Sequence, residues 1–106
     1  MEIHALIFWI SHEIYKYSPF PHDAICRITE GNTSIMEGWG IKIINAHSIN
    51  EYNFSSEIVF RFIIPTVPED YLKVGTKLEL YDGTKIIGYG HILKPPALSV
   101  LGVTND

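Results

Sequence analysis

The sequence predicts an all-β fold, a closed barrel or a sandwich, on three observations. Short runs rich in Ile, Val, Phe and Tyr recur along the chain. Clusters containing Gly or Pro separate them. No segment sustains the apolar period of a helix face. Six runs qualify as strands, and such a set buries its apolar faces by closing on itself or by pairing two sheets.

The first run, IHALIFWI at 3–10, is apolar at nearly every position and reads as a strand buried on both faces. In SHEIYKYSPFPHD, Pro19 and Pro21 flank Phe20 and impose an extended, non-helical path. AICRIT at 24–29 is a short strand, and EGNTS after it is a turn cluster. IMEGWGIKIIN at 35–45 is the third strand region, where Gly38 and Gly40 mark a bulge or a barrel corner. AHSINEYN is polar and reads as a loop.

SSEIVFRFIIP alternates most clearly. Ile58, Phe60 and Phe62 share one face, Val59, Arg61 and Ile63 the other, and Pro65 ends the run. In TVPEDYLKVGT, Glu69-Asp70 suits the start of a short helical turn that Val74-Gly75 closes. The last two strands lie in LELYDGTKIIGYGHI, where Asp82-Gly83 is a turn signal because both residues tolerate positive φ. Pro95-Pro96 ends a barrel domain assigned to residues 1–96, leaving 97–106 as a C-terminal tail.

Gly88 and Gly90 weaken the last strand twice, on the same face. Two readings account for that. Either a tight interior or a bulky residue crosses there, Trp9 or Trp39, or a partner's backbone approaches closely.

The chain has 106 residues, enough for one domain with a core of its own. Its formal charge is -4, and its eight Lys and Arg are scattered without a run. Strong binding to nucleic acid needs a concentrated basic face, so the charge favours a protein partner over RNA. The single Cys26 makes no intrachain disulfide and fits a reducing compartment. The N-terminus lacks a basic region and a small-residue cleavage site, so no secretory signal is expected. No apolar run reaches the roughly 18 residues of a membrane span. A cytoplasmic location without membrane association is expected.

The hairpin carries a family resemblance. GTKLELYDGTKIIGYGHILK looks like the closing hairpin of the third, C-terminal β-barrel domain of translation elongation factor Tu. In that family an acidic residue and Gly form the loop, a basic residue follows, and a hydrophobic residue precedes Gly-x-Gly. Here these are Asp82, Gly83, Lys85, Ile87, Gly88 and Gly90. SSEIVFRFIIPTVPEDYLKVGTKLEL is similar to the family's long strand, proline, connection and following strand. EIHALIFWIS with the later SPFP resembles its first strand and Pro-Phe segment. The order covers roughly residues 2 to 94.

The resemblance implies a six-stranded antiparallel β-barrel without catalysis of its own. In the family this domain helps bind aminoacyl-tRNA and contacts the GTPase domain and an exchange factor. The acidic-Gly loop is one of the places that contact tRNA, which maps to Asp82-Gly83 with Lys85 at the basic position. The chain also departs from the family. Its Tyr-Arg-Pro-Gln-Phe stretch falls near His22 to Ile28, where HDAICRI leaves only Arg27 as a remnant. Thr84 replaces the second loop Gly, and Lys85 replaces an Arg that pairs better with phosphate. No G-x-x-x-x-G-K-[ST] loop is present, so no GTP is expected on this chain.

His4, His12, His22, His47 and His91 form no short ligand pair, and no metal or other cofactor is expected. Cys26 sits in an apolar strand and reads as an inert core residue rather than a nucleophile. Adjacent Glu69-Asp70 shows no acid and base arrangement. No catalytic residue is assigned. Tyr15, Tyr17 and Phe20 fall in a segment read as a loop. There they either anchor a partner or fold back on the barrel mouth.

The sequence thus leads to a non-enzymatic binding module, a stand-alone relative of the elongation factor Tu barrel that docks a protein. Its expected contacts are Tyr15, Tyr17, Phe20, Asp82, Gly83 and Lys85. A translation-related accessory protein and an immunity or decoy protein are both versions of it. The alternatives are a tRNA-binding barrel, and a small enzyme using the barrel mouth.

Overall fold

Alternation along the first strand defines the wall of the fold. In the computed structural model, which describes residues 2–16, 23–30, 33–64 and 72–94, β1 runs Ile3–Trp9. Ile3, Ala5, Ile7 and Trp9 are buried, whereas His4, Leu6 and Phe8 are half-buried on the opposite face. The expectation of a strand buried on both faces is corrected here. A single-layer barrel wall has one packed face and one face toward solvent.

The remaining elements are α1 (His12–Lys16), β2 (Asp23–Glu30), β3 (Thr33–Asn50), β4 (Ser55–Phe62), β5 (Lys77–Asp82) and β6 (Lys85–Lys94). All strand pairs are antiparallel, in the order β1-β4-β3-β2-β5-β6, and β6 returns to β1 to close the barrel. The expected six-stranded antiparallel barrel therefore stands at the level of strand count and closure. Inward residues from every strand fill the interior, among them Cys26, Ile28, Ile41, Ile58, Phe60, Leu78, Leu80 and Ile92. Trp9 brings a polar atom inside and donates its indole N–H to Ser56 Oγ at 2.9 Å. That bond offsets the cost of burying both groups.

Two local expectations are corrected. His12–Lys16 is a short helix rather than an extended path. Proline restricts itself and the residue before it, and Pro19 lies three positions beyond Lys16. Ser11 caps the turn, its Oγ accepting from the amide of Ile14 at 3.2 Å. The polar stretch 46–50 is strand rather than loop, because β3 continues along β4 through Ala46↔Ile58, His47↔Glu57 and Ser48↔Ser56. The backbone ladder to β4 holds it, joined by side-chain contacts of His47 with Glu57 and of Ser48 with Tyr15. The turn that follows ends at Phe54, which takes φ 56, an uncommon conformation for a non-glycine residue.

The hairpin and its glycines resolve clearly. Asp82 pairs with Lys85, so the loop is the two residues Gly83 and Thr84. Gly83 supplies φ +64 at the first loop position, as a type II′ turn requires. Asp82 ends the strand and is not a positive-φ residue. At the β1–β6 seam, Gly88 faces Trp9 and Gly90 faces Ile7 in register. A Cβ on Gly88 would stand 2.8 Å from Ile7 Cγ2 and 3.0 Å from Trp9 Cε3. A Cβ on Gly90 would stand 1.8 Å from the carbonyl oxygen of Leu6. Both bare positions are thus filled from within the chain, by Trp9 and by the backbone of β1.

These contacts rank two substitutions. Gly83→Ala meets no neighbour within 4 Å and carries only the positive-φ penalty, about 1 kcal/mol. Gly90→Ala drives a methyl into a ladder carbonyl that cannot move without parting the seam, a loss of about 3 kcal/mol. Urea unfolding of both variants checks the ranking. Equal midpoints would contradict the seam.

Candidate functional site

Cross-strand register lines up outward residues into rows across the barrel wall. Gly40 pairs with Ile25, Ile25 with Tyr81, and Tyr81 with Ile86. Ile63 extends this row past the end of β4, its amide donating to the Gly40 carbonyl at 3.0 Å. Ile63 Cδ1 lies 3.4 Å from where a Gly40 Cβ would be, and Ile25 Cγ2 lies 2.7 Å from the equivalent point on Gly38. The two glycines therefore let isoleucines from neighbouring strands lie flat on the wall. Ile63 remains 56% exposed and Ile25 37% exposed.

The next row holds Gly38, Arg27, Glu79, Tyr89 and Phe8, linked in register from β3 to β1. Arg27 stands over the Tyr81 ring, with Cζ 5.5 Å from its centroid. The Tyr81 hydroxyl donates to Glu79 Oε1 at 2.9 Å. That bond holds the phenol above its ordinary pKa, helped by desolvation and by the charge of Glu79, while Arg27 pulls the other way. Phe8 and Tyr89 stack at 5.9 Å, with 28° between their planes. Ile25, Arg27, Gly38, Tyr81, Gly83 and Thr84 line an open cleft of about 380 Å³.

The structure gathers part of the predicted contact set. Asp82, Gly83 and Lys85 are exposed at the hairpin end, with Gly83 on the rim of the cleft. Tyr15 lies at the same barrel end by strand direction, packed against Phe54 at 6.1 Å and hydrogen-bonded through its hydroxyl to Ser48. His12 completes this ring cluster, 5.7 Å from Phe54. Tyr15 therefore serves as part of a cap over the barrel mouth. Tyr17 and Phe20 lie outside the described residues, as do Glu69-Asp70, Pro65 and the tail. Sequence reasoning did not select Ile25, Tyr81 or Ile63 as contacts. Their proximity depends on register between strands distant in the chain. The Gly38 and Gly40 signal was visible, but not which side chains would lie over those glycines.

Chemistry-bearing groups are dispersed. His4 Nδ1 lies 3.1 Å from Glu57 Oε2 and His47 Nε2 lies 3.7 Å from Glu57 Oε1, across β1, β4 and β3 on the outer face. Among the described residues no group of three or more His, Cys, Asp or Glu is arranged to hold a metal ion. His22 lies outside the described residues. No described helix is long and apolar enough to cross a membrane.

Cys26 faces the interior, and burial pushes its thiol up from 9.0 to about 12. The native thiol should resist an aromatic disulfide reagent at neutral pH and react fully in denaturant. Linkage sets the alkaline behaviour. Below pH 9 both states keep the proton. Above it the unfolded chain releases the proton first, so stability falls as pH rises toward about 12. Comparing the unfolding midpoint of Cys26→Ala with wild type across that range isolates this contribution. Rapid native labelling would contradict the burial.

Compared with protein-family models, with curated proteins and with solved structures, the chain matches none. Fold and wall together define a class rather than a family: a small closed antiparallel barrel with an apolar and aromatic outer face beside one hairpin loop.

Proposed function

We propose that this protein is a non-enzymatic binding module that docks a protein partner on the outer wall of β2, β3 and β5. The observation that carries it is the outward row Ile63, Gly40, Ile25, Tyr81 and Ile86, which crosses the wall beside the Arg27–Tyr81 stack. Exposed branched side chains, tyrosine and arginine around a flat apolar centre are the composition of a protein-binding patch. Asp82, Gly83 and Lys85 form its rim at the hairpin. The order of segments and the Asp82-Gly83 loop support kinship with the elongation factor Tu C-terminal barrel, and with it a translation-related partner. Charge supports protein over tRNA. Asp23, Glu79 and Asp82 stand opposite Lys42, Arg27 and Lys85 on this side, which breaks up a continuous positive track across the wall.

A tagged pull-down from lysate of the native host, with nuclease, tests the reading. Ile25→Asp and Ile63→Asp place a charge at outward positions and should keep the fold, as circular dichroism checks. Each should reduce recovery of the partner by about tenfold, the scale of a lost interface contact. Tyr52→Ala, at an 89% exposed position in the β3–β4 turn, should leave recovery unchanged. Recovery indifferent to both wall substitutions would refute the docking face.

A further inference from the structure

Beside the apolar row lies a second row, Arg61, Lys42 and Asp23, on β4, β3 and β2. Lys42 and Arg61 are direct cross-strand partners, and both are exposed. Like charges placed opposite each other destabilise a sheet. Neither residue forms an ion pair with a described residue, and Asp23, the other neighbour of Lys42, does not close one. A chain with 12 acidic and eight basic residues has thus set two cations side by side with one carboxylate nearby. The pair adjoins Ile63 and Gly40, one step along β4 and β3.

We infer that Lys42 and Arg61 are an anchor for an acidic side chain of the partner, which docks as an amphipathic peptide segment. In this arrangement a carboxylate bridges the two cations while an apolar residue two positions along lies across Ile63 and Ile25. Charge complementarity selects the occupant. A carboxylate relieves the repulsion between Lys42 and Arg61, and Arg61 supplies a planar fork that pairs with it through two parallel bonds. Spacing agrees, since Arg61 and Ile63, outward residues two apart at the end of β4 and just past it, match the alternation of an extended segment. The inference rests on the docking face proposed above and adds the chemistry of its partner.

The test pans a phage-displayed library of random linear peptides against the folded chain. Selected peptides are then measured against variants, with total tRNA as a second probe. Expected peptides carry Asp or Glu two positions from a branched apolar or aromatic residue. Lys42→Glu with Arg61→Glu should weaken them about tenfold or more, and raised salt should weaken wild-type binding. Ile63→Asp should abolish it. Peptides that lose to Ile63→Asp but bind the charge-reversed chain equally would overturn the acidic anchor while leaving the docking face standing. Peptides indifferent to both, or no selection at all, would overturn the docking face and the anchor with it. Retention of tRNA that disappears with Lys42→Ala and Arg61→Ala would overturn the peptide assignment in favour of RNA. Thermal melts of each variant confirm that the fold is intact.

Discussion

The seam between β1 and β6 is the constraint on which the rest of the structure depends. Six strand pairings make the ring, and at the β1–β6 pairing the two strands approach so closely that two positions must be bare. Closure demands that Ile7 and Trp9 enter the interior where β6 crosses them, and that β6 approach the Leu6 carbonyl closely. Side chains at 88 and 90 would block both. The cost of two glycines in a strand is a loss of local order and packing, and closure offsets it by removing two open sheet edges. Trp9, the last residue of β1, is then buried in the interior, its indole N–H bonded to Ser56 of the neighbouring strand β4.

Bulges adapt the wall around that closed ring. Ile44 and Ile49 on β3 and Leu93 on β6 stand at breaks in register and are turned outward. Ile87 on β6 is also a bulged residue, but it is turned into the core. A bulge reverses or re-aims a side chain without ending the strand. This lets β3 run for 18 residues while pairing first with β2 and then with β4. The overlap of its two partners, near Ile41 and Lys42, places β2 and β4 on either side of the same stretch. The apolar row and the Lys42–Arg61 pair both arise at this junction.

What was legible in the sequence follows from which interactions are local. The hairpin was readable because Asp82, Gly83 and the flanking β-formers all lie within one short stretch. Alternation in 58–62 was readable for the same reason. The first strand misled because Leu6 and Phe8 are apolar yet face outward, where Tyr89 stacks on Phe8. Polar 46–50 misled because its strand conformation comes from β4, not from its own residues. The short helix is hard to read because it is a single turn capped by Ser11, and the restriction that Pro19 imposes does not reach back to it. The wall was the least legible part. Ile25, Tyr81 and Ile63 become neighbours only through pairings that join distant segments of the chain.

Closure and surface are joined: two bare positions let the ring shut, and the shut ring aligns the outer row and the cation pair. A methyl- and aromatic-directed nuclear Overhauser experiment on the isolated chain tests that link most directly. Cross-peaks from Ile7 and Trp9 to Gly88, from Ile63 to Gly40, and from Ile25 to Gly38 are the predicted result. Strong Ile25 and Ile63 contacts with no cross-peak between β1 and β6 would contradict it. They would show that an open sheet builds the same wall without the seam.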